Sequence, residues 1–199
     1  MNTPMQVGIT GGIGTGKSLI CKVFACLGVP IYDADSRAKL LMTTDTILVD
    51  LIRKEFGNLS YHPDGSLNRE HLREVFKEPL LLEKLNKLVH PRVGQDYLNW
   101  TLQHVGSQYV IKEAALLIES GSAEGLDKLI VVTAPLELRV KRVLIRDPHR
   151  TKNEIELIVS NQMSDVDKLE RADFVITNDE TKLVIPQVLE LHERFMAMN

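Results

Sequence analysis

Gly11-Gly12-Ile13-Gly14-Thr15-Gly16-Lys17-Ser18 reads G-x-x-x-x-G-K-S, and each residue type in it answers a problem posed by a triphosphate. Terminal phosphates concentrate several negative charges in a small volume. A backbone can hold them only where many N–H groups converge, and glycine allows this because it lacks Cβ and accepts positive φ. A helix beginning at the end of the loop adds unpaired N–H groups and the positive end of its dipole. Lys17 brings a point charge to the β- and γ-phosphates, and the Ser18 hydroxyl can bind the Mg²⁺ that bridges them. Gly12, Ile13, Gly14, Thr15, Gly16, Lys17 and Ser18 are therefore the expected ATP-binding set, with Lys17 also catalytic and Ser18 the metal ligand. A plain glycine-rich turn explains the glycines but not Lys-Ser at this offset. The dinucleotide pattern G-x-G-x-x-G fails, because its third glycine position, counted from Gly12, is Lys17.

Other residues could complete a phosphoryl-transfer site. The apolar run Val29–Tyr32 ends in Asp33-Ala34-Asp35. An Asp at the end of such a strand can take the proton of an acceptor hydroxyl or hold Mg²⁺. Asp33 is the candidate for that chemistry, and Asp35, just before Ser36-Arg37-Ala38, reads as a helix cap. Residues 139–152 hold Arg139, Lys141, Arg142, Arg146, Arg150 and Lys152 against Asp147 alone. Such a run is ordinarily a solvated helix face, but a migrating phosphoryl group needs cations and the arginine fork fits its oxygens. Arg146 is the first candidate phosphate contact, counted with the catalytic residues, and Arg142 the second. Asp147-Pro148 should break the helix there and leave a flap. His90 and Arg92 are acceptor-binding candidates. Glu113 and Glu119, flanking Ala114–Ile118, could touch the acceptor or cap a helix.

The elements that must position these groups are legible as alternation. Short Val/Ile-rich runs at Val7–Thr10, Val29–Tyr32, Tyr109–Lys112, Lys128–Thr133 and Asp173–Thr177 read as strands buried on both faces. Their alternation with helical stretches predicts an α/β fold with a five-stranded parallel sheet flanked by helices. Residues 36–105 lack a convincing strand; Leu48, Leu51, Ile52 and Phe56, and then Leu81, Leu85, Leu88 and Val89, recur at helical spacing. This region reads as a helical insertion over the ligand crevice at the strands' carboxyl ends, with a loop at residues 58–68. Pro186 requires the last helix to start just before it or to kink.

The chain of 199 residues has a net charge of −3, 44% hydrophobic and 26% charged residues. That is ordinary globular composition and gives no support to a nucleic-acid partner. No apolar stretch reaches a membrane span and no signal-peptide pattern opens the chain, so the expectation is a cytoplasmic protein without a membrane partner. Cys21 and Cys26 point roughly 140° apart on one helix, which suits packing better than a disulfide or a metal. The oligomeric state is left open.

Together these segments resemble the dephospho-coenzyme A kinase family. The resemblance runs from the first strand to about Asp179. It is carried by Ile9-Thr10 and the loop through Ser18, Asp33-Ala34-Asp35, Gly65-Ser66-Leu67-Asn68-Arg69, His90-Pro91, Leu116-Leu117-Ile118-Glu119, Arg146-Asp147, Gln162-Met163-Ser164 and Ala172–Asn178. It implies a P-loop fold like that of nucleoside monophosphate kinases, a coenzyme A-binding helical insertion (36–105) and a lid over ATP (139–165). It implies transfer of the ATP γ-phosphoryl to the ribose 3′-hydroxyl of dephospho-CoA, with Asp33 as base, Asn178 near the adenine, and Arg69, His90, Arg92 and Glu119 toward the acceptor. Ala115 stands where the family has Pro, Lys39 where Arg or His is expected, and Asp179 where Asn or Gly is common.

Two other readings make different demands. A nucleoside monophosphate kinase needs arginines for an acceptor phosphate, and the insertion holds Arg53, Arg69, Arg73 and Arg92. The other is a GTP- or ATP-driven switch that binds a protein partner; a GTPase carries [NT]-K-x-D, whereas Asn86-Lys87-Leu88-Val89 and Thr151-Lys152-Asn153-Glu154 both lack the Asp. If Lys17 meets the terminal phosphates, Lys17→Ala loses about 3 kcal/mol or more of transition-state stabilisation. Steady-state kcat/KM measures this, and an unchanged value removes Lys17 from the mechanism.

Overall fold

The computed structural model describes residues 3–75 and 78–198. In chain order the elements are β1 (Met5–Thr10), α1 (Lys17–Cys26) and β2 (Ile31–Asp33); then α2 (Ala34–Thr44), α3 (Thr46–Phe56), a 3₁₀ turn (Asn58–Ser60), α4 (Arg69–Val75) and α5 (Pro79–Leu102). They continue as β3 (Tyr109–Glu113), β4 (Lys128–Thr133), α6 (Leu136–Arg146), α7 (Lys152–Ser160), α8 (Asp165–Glu170), β5 (Phe174–Thr177) and α9 (Val184–Ala197). The chain divides into two compact units, Met1–Asp33 with Thr101–Asn199, and Ala34–Trp100.

The first unit is built on a five-stranded sheet in the order β2-β3-β1-β4-β5, parallel throughout. Val7, Ile9, Val110, Ile111, Ile130 and Val131 are buried in it, as expected of strands covered on both faces. β2 is shorter and later than its apolar run suggests. Pro30 has no N–H for the ladder and serves only as an acceptor, its carbonyl receiving Ile111 N at 2.9 Å. β1 lies between β3 and β4, so the loop that follows it leaves the middle of the sheet's carboxyl edge.

What fixes α1 beneath that loop is an apolar core. Ile20, Cys21 and Phe24 of α1 and Val188, Leu191 and Phe195 of α9 pack with Val7, Ile9, Tyr109, Ile111, Ile130, Val132 and Ile176. Tyr109 joins the layers: its ring meets Phe195 edge-on at 5.2 Å between centroids and Phe24 at 6.5 Å. Its hydroxyl, which could not be buried unpaired, hydrogen-bonds His192 Nδ1 at 2.8 Å. α9 starts at Val184, which leaves Pro186 in the first turn where its missing N–H costs nothing. The sequence reading of a terminal helix over residues 181–198 is thus too early at its start: residues 181–182 form a turn on Asp179, whose Oδ1 accepts from Thr181 N and Lys182 N.

The second unit is helical. In α3, Leu48, Ile52 and Phe56 face inward at i, i+4 and i+8, and Asp45 caps the helix by accepting from Leu48 N at 3.0 Å. Arg92 of α5 donates to the other oxygen of Asp45 at 2.8 Å, and Arg37 of α2 pairs with Asp96 of α5. Between residues 58 and 68 the loop holds a 3₁₀ turn and a Tyr61–Leu67 bridge. Asp35 lies within the first turn of α2, since that helix starts at Ala34. There it favours the dipole rather than capping the helix.

Phe24 is fully buried in the core that holds α1. Phe24→Ala is expected to cost about 3–5 kcal/mol, the range for emptying a buried aromatic site. Urea unfolding measures this, and a loss well below that range would mean that α1 is held elsewhere.

Candidate active site

The turn between β1 and α1 is shaped by its own backbone. Thr15 is buried, and both its N–H and its Oγ1 donate to Gly12 O, at 3.3 and 2.9 Å. Gly16, the residue before α1, has φ 94°. A Cβ there would also overlap Asn178 Nδ2, so both conformation and space demand glycine. Gly16 has no side chain to cap α1 and the first turn carries no acid, so the helix's positive end is not neutralised locally. Lys17 folds back over the loop, Nζ donating to Gly11 O at 2.8 Å and Gly12 O at 3.4 Å.

Two carboxylates end adjacent strands beside this loop. Asp33 of β2 is in register with Glu113 of β3, which also pairs with Ile9 of β1. Ser18 Oγ donates to Glu113 Oε1 at 3.0 Å. The buried Cys21 thiol, one turn further along α1, reports the same convergence. Burial pushes its pKa well above the ordinary thiol value, Glu113 and Asp33 add to the shift, and Lys17 opposes it. Lys17, Asp33, Glu113 and Ser18 are thus brought together. Cys26 is exposed, so only one of the two cysteines packs. Cys26 falls on the outer face because five residues on a helix are not a whole number of turns.

These donors suit Mg²⁺. It favours hard oxygen ligands and is normally held by one or two protein groups, the rest being phosphates and water. Ser18 Oγ and the two neighbouring carboxylates offer such oxygens. Among the described residues no cluster of three or more His, Cys, Asp or Glu forms an all-protein cage.

On the other side of the loop, Asn178 at the end of β5 is buried and donates from Nδ2 to Thr15 O at 2.8 Å. Arg142 of α6 donates to Asn178 O at 2.9 Å and also pairs with Glu180 at 3.4 Å. Arg142, Asn178 and the loop therefore form one connected wall. Arg139, one turn earlier on α6, is 3% exposed. It pairs with Asp165 at 3.1 Å and lies against Gly12, where a Cβ would overlap its Nη1. Gln162 Oε1 accepts from Ile13 N at 2.9 Å. Nothing in the sequence distinguished Arg139 from its basic neighbours except its three-residue spacing from Arg142, which puts both on one helix face.

Arg146 ends α6 and is bound by both nitrogens of its fork to the adjacent Asp147, at 2.8 and 3.2 Å. Its side chain is 64% exposed. Seven residues beyond Arg139, it is about 10 Å further along the axis. Glu119 Oε1 accepts from Met163 N at 3.0 Å and pairs with the buried Lys168 at 3.0 Å. Burial alone would raise the pKa of Glu119, but hydrogen bonds from the backbone and Lys168 outweigh it and hold the carboxyl below its ordinary value. In the helical unit Arg69 and His90 are exposed, while Arg92 is engaged by Asp45.

Residues 5–183 match the family model for dephospho-CoA kinase. The chain is 39% identical over 191 residues to a dephospho-CoA kinase of Bacteroides fragilis strain YCH46, an alignment covering 94% of this chain and 91% of the relative. Among solved structures, the Thermus thermophilus protein TT1252 superposes with a TM-score of 0.82 at 29% identity, over 99% of this chain and 98% of that one. A dephospho-CoA kinase from Campylobacter jejuni gives a TM-score of 0.72 at 23% identity over 98% of both chains, a likeness of fold.

Because the Glu119 carboxyl is held below its ordinary value, its contribution to stability is complete above about pH 4.3 and is lost as pH falls through the lowered value. Glu119→Gln should be less stable than the parent at neutral pH, with the difference shrinking in acid. Urea unfolding across that range tests this, and a gap that stays constant with pH would mean the charge on Glu119 contributes nothing.

Proposed function

The chain belongs to the dephospho-CoA kinase family, and from that premise we propose that it transfers the γ-phosphoryl group of ATP to the ribose 3′-hydroxyl of dephospho-CoA. The products are coenzyme A and ADP, the last step of coenzyme A biosynthesis. The observation that carries this reading is the register of β2, β3 and β1. It sets Asp33 and Glu113 side by side at the strand ends, next to Lys17 and Ser18.

The loop N–H groups and the α1 terminus hold the triphosphate of ATP. Lys17 leaves the Gly11 and Gly12 carbonyls for the β- and γ-oxygens. Ser18, steered by Glu113, would hold Mg²⁺, which would supply charge neutralisation to the phosphate oxygens. Asp33 orients the 3′-hydroxyl and accepts its proton as the new oxygen–phosphorus bond forms and the bond to the β,γ-bridging oxygen breaks. Asn178 and Arg142 line the adenine end.

The lid lies within residues 139–165: Arg139 and Gln162, toward its two ends, stay on the phosphate loop, and the turn at residues 147–151 between them closes. Arg146 reaches the migrating group by exchanging Asp147 for phosphate. That exchange is cheap, because so exposed an arginine gains little from its ion pair. Closing the lid excludes water, which would otherwise take the phosphoryl group. The helical region 36–105 receives the acceptor, whose phosphates suit Arg69, His90 and Arg92. Glu119 is assigned to the acceptor as well, and its carboxylate also holds Met163 and Lys168.

Incubation with dephospho-CoA and ATP·Mg²⁺, with the 3′ position of the product checked by mass spectrometry, tests the reaction. Asp33→Asn should lower kcat by about 10²–10⁴, the usual share of a general base, while ATP still binds. Near-normal turnover in that variant would remove Asp33 as the base.

A further inference from the structure

The two arms of the phosphate loop are held by different parts of the chain. The later arm is fixed by α1 itself and by Asn178, which binds Thr15 O. The earlier arm, Gly12-Ile13-Gly14, belongs to no helix or strand; besides the Thr15 and Lys17 bonds to Gly12 O, it is supported by residues 139–165. Ile13 N–H is taken by Gln162 Oε1. The Arg139 guanidinium lies on Gly12, and its backbone carbonyl would meet a Cβ on Gly14 at 2.6 Å. The Ile13 side chain packs on Val140, Val143 and Ile155.

These supports are themselves fixed. Asp165 holds Arg139, and Glu119 holds both Met163 N–H and Lys168, so Gln162 sits in a segment tied on its C-terminal side. Lys17 Nζ, the group that meets β- and γ-phosphates, rests on the carbonyls of Gly11 and Gly12. The early arm is therefore the end of the loop that faces the outermost phosphate.

We propose that Gln162 and Arg139 are positioning residues for the terminal phosphate. They set the direction of the Ile13 amide and the height of Gly12, and so act on the γ-phosphoryl group and its transfer rather than on nucleotide binding as a whole. The proposal rests on the nucleotide reading above and separates two ligands which that reading treats alike.

The test is calorimetric titration, with Mg²⁺, of ADP and of the non-hydrolysable β,γ-imido analogue of ATP into the parent, Gln162→Met and Asp165→Asn chains, together with kcat and KM for ATP. Gln162→Met should weaken the imido analogue and lower kcat about tenfold, the size of one hydrogen bond, with ADP affinity within about threefold of the parent. Asp165→Asn, which loosens Arg139 without touching the loop, should shift the same ratio in the same direction by a smaller factor.

Parallel losses for both ligands, or an unchanged ratio, overturn the proposal. If Gln162→Met shows no folding transition, the ratio in Asp165→Asn decides alone. A parent chain that binds neither ligand removes the nucleotide site and this inference with it. A parent that binds both while the variants keep its ratio sinks only this inference.

Discussion

The positive end of a helix can serve as an anion site only if the helix cannot retreat from the charge it faces. In this chain that constraint is met by burial. Ile20, Cys21 and Phe24 lock α1 to the sheet through Tyr109, and Phe195 of α9 closes the layer from the far end of the sequence. The loop then hangs between a strand fixed in the middle of the sheet and a helix fixed beneath it. Its conformation is set by glycine geometry at Gly16 and by the Thr15–Gly12 turn. Preorganised N–H groups cost no reorganisation when phosphate arrives, which makes them more effective than flexible side chains.

The charged and hydroxyl groups around the loop are already paired within the chain. Lys17 sits on loop carbonyls, Ser18 on Glu113, and Arg146 on Asp147. Such pairs near the surface are weak, so exchanging them for another partner costs little. The buried pairs behave differently. Lys168–Glu119 and Arg139–Asp165 hold a nearly inaccessible cation in place, and removing one partner would strand a charge away from water. This divides the basic run by role, with exposed Arg146 available for exchange and buried Arg139 fixed as scaffold.

Much of the fold was legible because its signals are local. The strand runs fall on the five observed strands, and the helix before Asp147-Pro148 ends at Arg146. Pro186 marks the first turn of α9. The exceptions have local causes too: Pro30 delays β2, and α2 begins at Ala34 rather than after Asp35. The position of the turn between β1 and α1 was equally readable, since its glycine geometry and the Lys-Ser offset are properties of eight consecutive residues.

The site beyond the loop was only partly legible. That Glu113 would meet Ser18, that Asn178 would reach Thr15, or that Gln162 would take the Ile13 amide depends on pairs separated by 95, 163 and 149 positions. Glu119 read as an acceptor contact or a cap, and no sequence signal showed that it would also hold Met163 and Lys168. The sequence by itself determined the phosphate-gripping loop, the alternating sheet and the identity of the acids at the strand ends. Only the tertiary structure decided which of those acids and arginines face one another. Strand order and helix packing bring distant positions within hydrogen-bond reach, and no local spacing encodes that distance.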